Sequence, residues 1–164
     1  MFELNEVPSG GVELRGAFAC FPSGVVAVCA EVDGLPCGLT VSTFVPVSLD
    51  PPLVSFCVQN SSRTWPRLAA AGCLGVSLLG TGQQQTARAL AARTGDRFRD
   101  IDLHRGHGAA VFVVGASAWI EGAIDAEVPG GDHTVVLLRI HRLATRAEVE
   151  PLVFHGSRFR ELHA

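Results

Sequence analysis

The chain is expected to fold as a mainly β protein, a small β-barrel carrying a few short helices. Three observations predict this. Most apolar residues fall in runs of five to eight, rich in Val, Ile and Leu and bounded by Gly, Pro, Asn or Asp. Turn signals of the hairpin kind, Asp33-Gly34 and Gly130-Gly131-Asp132, join neighbouring runs directly. Only two or three segments have helical spacing, so hairpins dominate over βαβ units.

Residues 1–11 read as a loose N-terminal arm ending in Ser9-Gly10-Gly11. Val12 to Phe21 is predicted as a short helix, with Val12, Arg15, Phe18 and Ala19 along one face and Pro22 beyond its end. It is expected to cover one end of the barrel. VVAVCAEV, from Val25, is almost uninterruptedly apolar, which fits a strand buried on both faces. Cys37–Val45 follows as a second strand and Leu53–Val58 as a third, with Asp50-Pro51-Pro52 forcing an extended bend between them.

Thr64–Ala71 is predicted as a short helix, since Pro66 is tolerated in a first turn and Gly72 suits the stop. Cys73–Leu79 is a fourth strand. Thr81-Gly82-Gln83-Gln84 has capping-box spacing, and Ala87, Leu90 and Ala91 give the next helix an apolar stripe up to Gly95. Residues 95–110 read as a long polar loop with Arg97, Arg99 and Arg105; loops of that length are more often functional than idle. Val111–Ile124 and Thr134–Ala144 are two long strands, Pro151–His155 a last strand, and an arginine-bearing tail follows.

The 164 residues fit a single domain, long enough to bury about 70% of the surface an unfolded chain exposes. A hydrophobic fraction of 48% beside 18% charged residues leaves few polar groups to cover a monomer, so self-association is expected. All 13 basic residues are arginine and the formal charge is −3, which argues against nucleic acid as a partner. Five cysteines without a CxxC pair read as buried thiols in a reducing compartment, here the cytoplasm. No segment reads as a secretion signal or as long enough to span a bilayer.

Three constellations are candidates for chemistry. Asn60-Ser61-Ser62-Arg63-Thr64 places hydroxyls and a guanidinium before a helix N-terminus, where unpaired N–H groups favour an anion; the competing reading is a plain helix cap. Gly38 to Phe44 is a run of small and hydroxyl residues that lets backbone donors approach a flat polar ring, or else an ordinary edge strand. Gly131-Asp132-His133 sets an imidazole at a strand entrance, as a group for substrate or as a capped turn histidine. His104 and His107 form HxxH without a neighbouring carboxylate or thiol, so no metal site is expected. GxGxxG, Walker and GxSxG motifs are absent from the sequence.

In their order along the chain, several stretches together resemble the flavin reductase-like family. They are Phe21-Pro22-Ser23-Gly24-Val25, Gly38 to Phe44, Val47 to Leu53 with its SLDPPL, Ser61 to Thr64, Val76 to Leu79 with Gln83, Gly131-Asp132-His133 and Pro151 to Phe154. The resemblance covers Phe21 to Leu162. It implies an FMN-binding split β-barrel and an NAD(P)H:flavin oxidoreductase that passes reduced FMN or FAD to a partner monooxygenase. It further implies that Thr40, Val41, Ser42, Thr43 and Phe44 line the ring. Asn60, Ser61, Ser62 and Thr64 would hold the phosphate, with Arg63 assisting and Gln83 nearby. His133 would sit by the nicotinamide of NADH or NADPH, in a homodimer. The alternative is a flavin-binding module without turnover, a carrier or sensor.

Overall fold

A computed structural model describes residues 6–7 and 11–162. The expected arm at residues 1–11 therefore lies outside the described residues, except for Glu6, Val7 and Gly11. Gly11 already opens α1, Gly11–Phe18.

Chain order continues with β1 (Ser23–Gly24), β2 (Val26–Val32), β3 (Leu35–Val41), β4 (Val45–Leu49) and β5 (Pro52–Gln59). Next come α2 (Trp65–Ala69), β6 (Leu74–Leu78), α3 (Gln84–Ala91), β7 (Leu103–Arg105) and β8 (Val111–Val113). The chain ends with β9 (Ala118–Gly130), β10 (His133–Thr145), β11 (Val153–His155) and β12 (Arg158–Arg160).

Seven strands form one antiparallel sheet in the order β3-β2-β6-β9-β10-β5-β4. β11 pairs with β1 and β12, and β7 pairs with β8. The large sheet curls until β3 meets β5, yet those two strands share no ladder. Thr43, just beyond β3, stitches the seam instead: its Oγ1 accepts from Cys57 N at 2.8 Å and donates to Cys57 O at 3.3 Å. The barrel is thus open along one side, a split barrel.

Two apolar clusters flank β2 and explain its run of apolar residues. Val26, Val28 and Ala30 face the barrel interior with Phe56, Leu74 and Val136, and Leu68 of α2 closes that core. Ala27 and Cys29 point the other way, against Leu90 of α3, Val113 of β8 and Leu152. Trp65 meets Phe56 edge-on with centroids 5.6 Å apart, and its Nε1 donates to Glu127 on β9 at 2.8 Å.

Several expectations need correction. Helix α1 buries none of its residues, with Val12 and Phe18 exposed, so it covers no end of the barrel within this chain. The predicted second strand breaks at Ser42, and Val45–Leu49 is a separate strand on the sheet edge. Val111–Ile124 is interrupted by a turn at Gly115, whose φ of +84° a side chain would strain. Residues 95–110 contain β7, and the tail contains β12. Thr81 caps nothing: Gln83 occupies the N-cap position without a side-chain cap. Of the five cysteines only Cys29 and Cys37 are buried, and Cys20 is exposed.

Candidate functional site

The site sits on the seam. Residues 39–43 leave the end of β3 on one side, and Cys57, Val58 and Gln59 of β5 stand on the other. Leu90 and Ala91 of α3, Arg97 and His133 complete a lobe of about 350 Å³. Thr40, Val41, Ser42 and Ala91 also border a second lobe of about 830 Å³, walled by Phe154 and Phe159 of the C-terminal hairpin and by Gln84 and Arg88 of α3. The two lobes share that floor and make one cleft. Each lobe by itself lies in the ordinary size range of small-molecule and cofactor sites.

Small residues create the space. A Cβ on Gly38 would meet Cys29 Sγ at 2.6 Å and Phe98 Cζ at 3.0 Å, so only glycine lets β3 lie this close to the loop after α3. Thr40 directs its hydroxyl to Ala87 O at 3.0 Å and fixes the helix against the strand. Ser42 is exposed where the lobes join. Val41 is buried but reaches both walls, whereas Phe44 lines neither lobe and packs on the barrel core. For Phe44 the expected ring contact gives way to core packing.

The donor cluster before α2 divides by role. Asn60 clasps the β9–β10 turn: its Nδ2 donates to Gly131 O at 3.1 Å and its Oδ1 accepts from Thr134 Oγ1 at 2.9 Å. Ser62 Oγ accepts from Trp65 N at 3.1 Å, the local capping job. Thr64 Oγ1 accepts from Arg97 Nη1 at 2.8 Å, and the same nitrogen donates to Gly38 O at 3.3 Å. Ser61 and Arg63 are exposed, and none of residues 60–64 borders either lobe directly. It is Arg97 that joins this cluster to the cleft.

In the sequence Arg97 is one arginine of a polar loop. Helix α3 ends at Ala91, short of the expected Gly95, and the signal for Arg97 is its place just after Gly95, whose φ of +87° turns the chain back toward β3. None of the five ion pairs among the described residues uses it, so its charge is open to an anionic ligand.

Gln83 is a strut. Its Oε1 accepts from Gly80 N and its Nε2 donates to Val114 O, both at 2.8 Å, and its amide does not reach the cleft. Its neighbours Gln84 and Gln85 line the larger lobe in its place.

His133 opens β10 opposite Gln59, after the two-residue turn Gly131-Asp132. Its Nδ1 lies 2.7 Å from Asp132 Oδ1. The hydrogen bond and then the charge of His133 hold the Asp132 carboxyl below its ordinary range, so it remains an ionised acceptor. With the Asp132 carboxylate as acceptor, His133 Nδ1 carries a proton and Nε2 is the ring nitrogen left to face a ligand. Under β3, burial pushes the Cys29 thiol up to about 12, which keeps it protonated and inert.

A barrel split along one seam, with an arginine and a histidine facing a shared cleft and a strand of small residues between them, defines a split-barrel protein with a small-molecule cleft on the seam. Residues 18–163 match the family described as flavin reductase like domain, and the chain belongs to that family. It is 37% identical over 159 residues to an NADH-dependent FAD reductase of Streptomyces globisporus, covering 93% of this chain and 86% of the relative. It is 32% identical over 145 residues to the reductase subunit HsaB of a flavin-dependent monooxygenase of Rhodococcus jostii, covering 88% and 74%. Among solved structures, an NADH:FAD oxidoreductase of S. globisporus C-1027 in complex with NAD and FAD fragments superposes with a TM-score of 0.88 at 37% identity, over 93% of this chain and 92% of that one. The styrene monooxygenase flavin reductase of Pseudomonas putida S12 gives 0.85 at 31%, over 93% and 99%.

Proposed function

We propose that the protein is an NAD(P)H-dependent flavin reductase that delivers reduced FMN or FAD to a partner monooxygenase. The observation that carries this reading is the joint placement of Arg97, residues 40–43 and His133 around one cleft. A flavin bound there supplies the hydride acceptor, and the nicotinamide supplies the hydride. The chain's own work is positional and electrostatic.

Arg97, braced by Thr64 and Gly38, is the cation for the flavin phosphate. Ser62 and Thr64 support that end, Ser61 and Arg63 stand beside it in solvent, and Asn60 holds the turn that carries His133. The backbone of 40–43 and the Ser42 hydroxyl present donors to the polar ring edge, where negative charge develops on reduction, while the Thr40 and Thr43 hydroxyls hold the strand in place. His133 turns Nε2 to the nicotinamide while Asp132 keeps the ring oriented. The printed roles of the relatives, flavin reduction with NADH in service of monooxygenases, support this assignment.

We further read the chain as one domain working as a homodimer in the cytoplasm. Val45, Val47 and Leu49 on the edge strand β4 are half or more exposed, an apolar edge that a second copy would cover. No helix among the described residues is long and apolar enough to cross a membrane.

Purified protein mixed with FMN, FAD or riboflavin and either NADH or NADPH is expected to consume the reduced nicotinamide, followed by its absorbance. No oxidation in any combination would overturn the reductase reading and leave a flavin carrier.

A further inference from the structure

A second hollow, of about 840 Å³, lies between the β7–β8 hairpin, the start of β9 and the end of β10. It shares no lining residue with either lobe of the cleft. Phe112 and Trp119 give it aromatic walls, and the Trp119 indole is fixed by a hydrogen bond from its Nε1 to Val113 O at 2.8 Å. Val114 and Leu143, both exposed, extend the apolar lining outward.

At one side of the hollow stands Glu121, a carboxylate residue only 8% exposed. Its Oε2 accepts from His107 N at 2.8 Å, and the loop that supplies this donor is closed by Gly106 N on Ala110 O at 2.8 Å. Only glycine fits at 106, where a Cβ would meet Phe112 Cε2 at 2.5 Å and Glu121 Oε2 at 3.0 Å. The β9–β10 register slips by one residue at His141, so that Arg142 stands opposite Glu121. Arg142 Nη1 lies 3.6 Å from Glu121 Oε1, close enough for charge attraction and too far for a hydrogen bond. Glu121 therefore holds the guanidinium at the hollow while its N–H groups have no acceptor among the described residues. Arg105, on the same rim, donates to Glu31 through Nε alone, which leaves its terminal nitrogens without an acceptor there too.

Two guanidiniums against one carboxylate give the lining a surplus of positive charge. Flat aromatic walls beside a planar cation suit a ring that carries an anion. Because Glu121 offsets part of the charge on Arg142, a singly charged carboxylate fits better than a doubly charged phosphate. We propose that this hollow is a ligand site separate from the flavin cleft that takes an aromatic carboxylic acid, with the ring against Trp119 and Phe112 and the carboxylate on Arg142. The site goes beyond the reductase reading and does not depend on it, since none of its residues borders the cleft.

The test is calorimetric titration of the protein with 1-naphthoate, with and without saturating FMN, and with neutral 1-naphthamide as the control. FMN occupies the cleft, so binding that persists in its presence reports the second hollow. One naphthoate per chain is expected, with a Kd of about 1 mM or tighter. The amide should bind about ten-fold more weakly or worse, as for loss of a charge-assisted hydrogen bond, and Arg142→Gln should weaken naphthoate by a similar factor. Arg142→Gln also strips Glu121 of its cation, so Leu143→Glu supplies a second variant at an exposed position. There the added charge should repel the anion and weaken binding while the urea midpoint stays near wild type. No binding to wild type, equal affinity for acid and amide, binding that disappears when FMN is present, or undiminished binding in both variants would overturn the proposal.

Discussion

Arg97 Nη1 donates to Thr64 Oγ1 at 2.8 Å across 33 residues of sequence, tying the loop after α3 to the N-terminus of α2. Two segments that read separately as a polar loop and a donor cluster therefore form one wall. Cys37, buried beneath them, has its thiol pushed up by burial, a rise that the nearby charges of Arg67 and Arg97 partly offset.

Arg97→Ala is expected to weaken FMN binding by roughly 1.5–3 kcal/mol, the usual worth of a hydrogen bond to a charged group. Riboflavin, which has no phosphate, should bind as before. Parallel fluorescence titrations decide the matter, because an equal loss for both ligands would make Arg97 a fold-holding residue only.

His133→Ala should slow hydride transfer, measured by stopped flow, more than it lowers flavin affinity. An unchanged rate would remove His133 from the reaction. Because His133 depresses the Asp132 carboxyl, Asp132 stays ionised above its usual range and down into it. Asp132→Asn should therefore lower the rate at neutral pH, by releasing the imidazole tautomer, without changing flavin affinity.

Gly38→Ala inserts a methyl group 2.6 Å from Cys29 Sγ and 3.0 Å from Phe98. Overpacking of this kind costs about 1–3 kcal/mol, so the urea midpoint should fall. Flavin affinity should fall too, since the same carbonyl accepts from Arg97.

Thiol labelling should follow burial. Cys20 is expected to react first under native conditions and Cys29 only after unfolding. The sign of the pH effect follows from the raised value. Below pH 9 the Cys29 thiol is neutral in both states and its contribution is intact; it is lost as pH rises toward about 12, where the unfolded thiol ionises before the folded one. Peptide mapping of alkylated protein across that range checks both points.

Leu49→Glu places a charge on the most exposed apolar residue of β4, 97% accessible in the isolated chain. Light scattering after size exclusion should show a dimer for wild type and a shift toward monomer for the variant. A monomeric wild type would end the dimer reading.

Much of the fold was legible because strand signals are local. The apolar run of β2, the Asp33-Gly34 and Gly131-Asp132 turns and the Pro66–Gly72 limits of α2 each follow from a few adjacent residues. The boundaries that went astray depend on partners elsewhere. The chain leaves β3 at Ser42 so that Thr43 can close the seam on Cys57, and it breaks before β9 where Gly115 turns and Gln83 reaches Val114.

The site divides in the same way. By itself the sequence determined the family, the small-residue run 38–44 and the histidine after a glycine turn, because these depend on residue type and order. Only the tertiary structure decided which donors face the cleft. Ser62 and Gln83 have their polar groups taken up by backbone partners and Asn60 by Gly131 O and the Thr134 hydroxyl, Phe44 is drawn into the core, and Arg97 arrives from a loop with no motif. A hydroxyl or amide in sequence is equally able to hold a ligand or to satisfy a neighbouring backbone group, and the choice rests on which partner the fold brings within 3 Å or so.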